Sequence, residues 1–154
     1  MSAAQTSDPN ERRPRAARAA LRLDHHDHVS RRARRLIADH CSGRVADEVI
    51  ADARLVASEL VTNAFEHSDD GIVTIDVFLE TDALVLTVIS PSGPDRVPSP
   101  DRWKLPTDTQ RTGRGLAFAR LVSSGAIVDT GTTPDGDGGW SAITVRLRRS
   151  RRAA

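Results

Sequence analysis

The stretch DEVIADARLVASELVTNAFEH, residues 47–67, carries an apolar pattern too regular for anything but a long amphipathic helix. Each helical residue turns about 100°, so positions three and four apart share a face. Ala53, Val56, Ala57, Leu60, Val61 and Ala64 then form one stripe. Asn63 and His67 fall on the edge of that stripe, with Glu59 on the same flank one turn earlier. Amphipathic helices ordinarily keep such residues on the opposite face, toward water. Two explanations stand at this point. Glu59 is a solvated acid and Asn63 a satisfied edge residue, or the edge borders a ligand rather than a core.

The segments around this helix read as a layered fold. "LRLD" (21–24) suits a short strand, and a first helix is expected at roughly 28–41. "GIVTIDVFLE" (71–80) alternates Ile72, Thr74 and Asp76 against Val73, Ile75 and Val77, the period of a half-buried strand. "TDA" makes a turn into "LVLTVIS" (84–90), a more continuously apolar and therefore central strand. Residues 91–112 hold Pro91, Pro94, Pro98, Pro100 and Pro106 and are expected to form a long lid-like loop without secondary structure of its own. A third helix follows in "GRGLAFARLVSSG", and "AIVDTG" and "WSAITVRLRR" close a hairpin across "TPDGDGG".

Composition sets the outer bounds. The length suits one domain with a real core. The expected division is a disordered leader at 1–20, a folded unit at 21–148 with its lid at 91–112, and a frayed basic tail at 149–154. Net charge near +1 recruits neither nucleic acid nor an anionic membrane. No apolar run is long enough to span a bilayer and the polar start lacks a signal peptide's apolar core, so a cytoplasmic location is expected by default. The single cysteine, Cys41, excludes an internal disulfide.

Three segments can carry chemistry. Glu59 and Asn63 stand one helical turn apart, where a carboxylate could polarise water and an amide oxygen could take one place on Mg²⁺, an ion that prefers oxygen ligands. "RTGRGLAFAR" (111–120) places Gly113 and Gly115 at the opening of a helix, whose free N–H groups and positive dipole end suit a phosphate, with Arg111 and Arg114 adding charge. "VISPSGPD" (88–95) ends a buried strand at Ser90, where polar groups often meet a crevice but an ordinary loop entry is as good a reading.

Taken together and in this order, the helix with E-x-x-x-N, the strand with its glycine loop, the long lid and the G-x-G-L helix resemble the GHKL ATPase superfamily. "SELVTNAFEHS" is similar to the N box, and "GRGLAFARLV" to the second glycine box, of the small anti-sigma-factor-like ATP-binding proteins of actinobacteria. The match spans about residues 28–148. The resemblance implies an α/β (α+β) two-layer sandwich, the Bergerat fold, with helices on one face of a mixed, mostly antiparallel sheet and ATP–Mg²⁺ between the layers. It implies that Asn63 holds Mg²⁺ and that Glu59 is the general base, acting in a protein serine/threonine kinase on an antagonist's hydroxyl. Gly113, Gly115 and Leu116 would line the phosphate side with Arg111 and Arg114 close by. Ser90 and Gly93 would stand at the base, and His67 would join the site in an unassigned role. The implied partners are a sigma factor, an anti-sigma antagonist protein, or both. A homodimer is left open, and neither direct nucleic-acid contact nor membrane binding is expected.

One position departs from the family. Where its members end the central strand in an Asp that accepts the adenine amino group, this chain has Ser90, followed by Pro91, Ser92 and Gly93. Charged hydrogen bonds contribute ~1.5–3 kcal/mol, and ~1.4 kcal/mol is tenfold in affinity. Ser90 is therefore expected to weaken adenine binding roughly 10–100-fold or to redirect base choice. That leaves a second reading, a protein-binding module of the same fold with weak or unproductive ATP use. Two further features carry less. His25, His26 and His28 are too nearly adjacent to converge on one ion, and Trp103, in the lid, either anchors a partner or folds back on the domain.

Overall fold

The computed structural model describes residues 18–24, 28–68, 71–92, 97–103, 114–134, 136 and 138–150. Five strands are β1 (Arg18–Leu23), β2 (Val73–Leu79), β3 (Ala83–Ser90), β4 (Gly125–Thr132) and β5 (Gly139–Arg148). Three helices are α1 (Val29–Cys41), α2 (Asp47–His67) and α3 (Arg114–Val122). The strand order is β1-β2-β3-β5-β4, and every pairing among these strands is antiparallel.

Alternation along each strand sorts the residues. Leu21, Ile75, Val88, Ile143 and Val128 stand side by side in register across all five strands. Together with Leu23, Val73, Val77, Leu86, Val145 and Leu147 they make the face that the helices cover. The buried stripe of α2, from Val49 through Ala53, Val56, Ala57 and Leu60 to Val61, packs there, with Ala33 and Ile37 of α1 beside it. The two helices are also tied by a hydroxyl contact, Ser30 Oγ to Thr62 Oγ1 at 3.0 Å. The opposite face of the sheet is mixed, with Val85, Ile89 and Ile127 beside polar groups. Thr87 and Thr144 bond across it at 3.0 Å, and Arg18 reaches Asp76.

A short turn joins α1 to α2. Gly43 takes φ +74°, a left-handed conformation that glycine adopts without a Cβ penalty. The Val45 amide donates back to the Cys41 carbonyl there. Arg149 stitches this turn to the β2–β3 turn: its backbone amide donates to Asp82 O, its guanidinium donates to Glu80 O and Arg44 O, and its own carbonyl accepts from Ala46 N.

Three segments differ from the sequence expectation. Arg18–Ala20, expected in the leader, belong to β1, where they pair with Asp76–Phe78 and Arg18 holds the Asp76 carboxylate; residues 1–17 lie outside the described part. Pairing with β2 supplies what the weak local pattern "RAAL" does not. Arg149, expected in the basic tail, is fixed by the four hydrogen bonds just described; residues 151–154 lie outside the described part. In the lid, residues 97–103 include one 3₁₀ turn, Pro100–Arg102, while 93–96 and 104–112 are outside the described residues.

Candidate functional site

Between the C-terminal half of α2 and the end of the central strands lies a cavity of about 320 Å³. Its lining comes from four places: Asn63, Ala64, His67 and Ser68 of α2 and its cap, Val88, Ser90, Ser92 and Ile143 of the sheet floor, Val97 and Pro98 of the lid, and Leu116 of α3. The sheet explains the floor. Leu84, Leu86, Val88 and Ser90 are successive members of one face of β3, so the strand's period carries Ser90 onto the helix-facing side just beyond the core row. Ser141, directly opposite Ser90 on β5, lies on the same side. The polar edge of α2 is placed above that floor by the helical period.

The lining is chiefly apolar, from Ala64, Val88, Val97, Pro98, Leu116 and Ile143. No carboxylate lines the cavity among the described residues. The polar part of the floor, Ser90 and Ser92, is neutral. Ser92 Oγ donates to Ser141 Oγ at 2.6 Å, and the Ser92 amide donates to Gly139 O at 3.1 Å. His67 stands at the mouth, over half exposed, with Nε2 3.9 Å from a Glu66 carboxylate oxygen. The Trp103 ring closes the lid segment down. It is 3% exposed, joins the main core, and donates from Nε1 to Pro98 O at 3.0 Å. Arg120 of α3 also donates to Asp101 O at 3.1 Å. Of the two readings of Trp103, the structure takes the one in which the lid folds back on the domain.

Glu59 is placed differently from Asn63. Its side chain lies along Gly115 in the first turn of α3, so close that a Cβ at 115 would collide with the Glu59 carboxylate, Cβ and Cγ. The second glycine of the G-x-G pair is thus required by the contact between α2 and α3. The carboxylate sits beside the positive N-terminal end of α3 and is not among the cavity-lining groups.

The structure therefore brings Asn63, His67, Ser90 and Leu116 around one cavity, and sets Glu59 and Gly115 against each other at its flank. Arg114 opens α3, with its side chain outside the described part. Gly93, Arg111 and Gly113 lie outside the described residues, as do His25 and His26. His28 is exposed at the start of α1, and no group of three or more His, Cys, Asp or Glu suited to a metal occurs among the described residues. Sequence reasoning missed Ser92 as a lining residue and Ser141 as its hydrogen-bond partner behind the floor. The signal was present: period two continues through Ser90 to Ser92, and Ser141 opens the apolar alternation Ile143, Val145, Leu147.

The family model for the histidine kinase-like ATPase domain matches residues 22–135. The chain belongs to this family. That makes it a GHKL-type ATPase domain, and the match runs from β1 through the lid to the β4–β5 turn. A comparison with curated proteins found no match. Among solved structures, the Mycobacterial sensor histidine kinase MprB is similar at 15% identity and a TM-score of 0.45, covering 84% of this chain and 100% of that one. The ATPase domain has no helix, among the described residues, long and apolar enough to cross a membrane.

An ATP-binding regulatory role follows from the family, and the residues present fit a nucleotide. A concave, chiefly apolar cavity with a few placed polar groups is what a small-molecule ligand requires. Asn63 can offer a single amide oxygen to Mg²⁺. That suits an ion which keeps several waters and takes much of its coordination from substrate phosphates.

Proposed function

We propose that this ATPase domain is a nucleotide-dependent regulator of the anti-sigma type. In this reading it binds a sigma factor, and is released for that task by phosphorylating an antagonist protein on a serine or threonine. One observation carries the reading: Asn63, Ser90 and Leu116, each from a different motif segment, border one cavity. The base lies against Val88 and Ile143 above the serine floor. Asn63 would hold Mg²⁺, and the N-terminal end of α3 with Gly113, Arg114 and Arg111 would receive the phosphates. ATP supplies the phosphoryl group; Glu59 takes the proton from the attacking hydroxyl. For that step the Glu59 carboxylate has to turn from its place along Gly115 toward the cavity.

Titration calorimetry of ATP with and without Mg²⁺, on the full chain and on Asn63→Ala, tests the nucleotide half. Affinity should rise with Mg²⁺ in the native chain and lose that dependence in the variant. Transfer of labelled γ-phosphate to a candidate antagonist, abolished by Glu59→Gln, tests the kinase half. A second reading is favoured by Ser90 and by the flanking position of Glu59: a module that binds nucleotide weakly and acts through protein contacts alone. Tight sigma-factor binding that nucleotide leaves unchanged, with no transfer to any antagonist, is the outcome that selects it.

A further inference from the structure

The cavity floor offers hydroxyls where a charge would fix the choice of base. Ser90, Ser92 and Ser141 are 7%, 2% and 1% exposed. Ser92 is committed: its hydroxyl hydrogen goes to Ser141 and its amide to Gly139, so toward the cavity it can only accept. Ser90 is not committed. No described residue hydrogen-bonds its Oγ, although the side chain is more than nine-tenths buried and borders the cavity. Among the described residues no buried side-chain polar atom lacks a partner, so the Ser90 Oγ opens on the cavity, where an entering group can bond it.

A carboxylate accepts hydrogen bonds and cannot donate, whereas a serine hydroxyl turns to do either. The two purine classes differ at this edge. A 6-amino purine presents a donor beside a ring-nitrogen acceptor, and a 6-keto purine presents an acceptor beside a ring N–H donor. At the purine 6-position the Ser90 hydroxyl can accept from an amino group or donate to a keto oxygen with the base in one pose, so neither class leaves it unpaired. Strong rejection of an analogue arises when a fixed buried group is left unpaired. Ser90 is not fixed in that sense.

We infer that this site takes 6-keto purine nucleotides as readily as 6-amino ones, with Ser90 the residue that leaves the choice open. The inference rests on the reading that the cavity holds the base. ATP and inosine triphosphate differ only at the purine 6-position edge and are the probes, each titrated with Mg²⁺ into the full chain by calorimetry and followed by thermal shift. The two dissociation constants should agree within about threefold, and Ser90→Asp should shift preference toward ATP by about tenfold or more, the scale of one charged hydrogen bond. A native chain that prefers ATP by tenfold, or a Ser90→Asp chain with an unchanged ratio, would overturn the inference while leaving nucleotide binding intact. Should Ser90→Asp not fold, Ser90→Ala decides. Both nucleotides should weaken together by about three- to tenfold, and a loss confined to one overturns the claim. Binding of neither nucleotide to the folded native chain would remove the nucleotide reading itself, a failure distinct from a base preference.

Discussion

The two halves of α2 share one helical period but serve different ends. From Val49 to Leu60 the inward side is occupied by Val49, Ala53, Val56, Ala57 and Leu60, all at or near zero exposure against the sheet. From Asn63 to His67 the same edge is polar, half-buried to exposed, and faces a cavity. The first half gains stability from burial; the second gives part of that up to hold polar groups where a ligand can meet them. The sheet beneath changes character at the same level, from Val88 and Ile143 to Ser90 and Ser141. Coincident breaks in two elements of different period mark a site more strongly than either break alone.

Leu60→Ala should give the largest effect, a loss of ~2–5 kcal/mol in urea denaturation, since Leu60 is wholly buried and the cavity left behind cannot be filled. A cost below about 1 kcal/mol would mean that the first half of α2 is not the core half. The packing behind it gives the next test. Cys41, buried at the end of α1, has its thiol pushed up from 9.0 to about 11 by burial, with Arg149 and Arg44 pulling the other way. The folded state holds the thiol neutral while the unfolded chain ionises near pH 9. This contribution is therefore full below pH 9 and is lost as the pH rises through about 11. At ~1.4 kcal/mol per pKa unit, the loss is roughly 2–3 kcal/mol at most. With no tyrosine and a single lysine, Lys104, few other groups titrate in that window. Denaturation curves from pH 8 to 11 should fall for the native chain and stay nearly flat for Cys41→Ala; equal slopes would refute the assignment.

At the boundary of the two halves, Gly115→Ala should cost ~1–3 kcal/mol, because its Cβ meets the Glu59 side chain. Glu59→Ala should recover much of that loss, and additivity of the two changes would show that they do not touch. Asn63→Ala should have the smallest effect on stability, within about 1 kcal/mol, and yet remove the Mg²⁺ dependence of nucleotide binding. A large drop in melting temperature with Mg²⁺ dependence intact would make Asn63 a structural residue and dissolve the contrast between the halves.

The sequence by itself determined the elements and one edge of the site. Period decides what each segment can be, so α2, β2, β3 and the closing hairpin were readable to within a residue or two, and the polar flank at Glu59, Asn63 and His67 stood out against the stripe. Pairing and packing decided the rest, because they join residues far apart in the chain. β1 begins at Arg18 only because Asp76–Phe78 lie beside it. Arg149 is fixed only because two turns converge on it. Trp103 is buried because the core offers it a place and Pro98 accepts its N–H, neither of which a proline-rich loop reveals. Ser92 and Ser141 are 49 residues apart, yet share a 2.6 Å hydrogen bond. Local pattern carries no term for such a contact; only the register of β3 on β5 does.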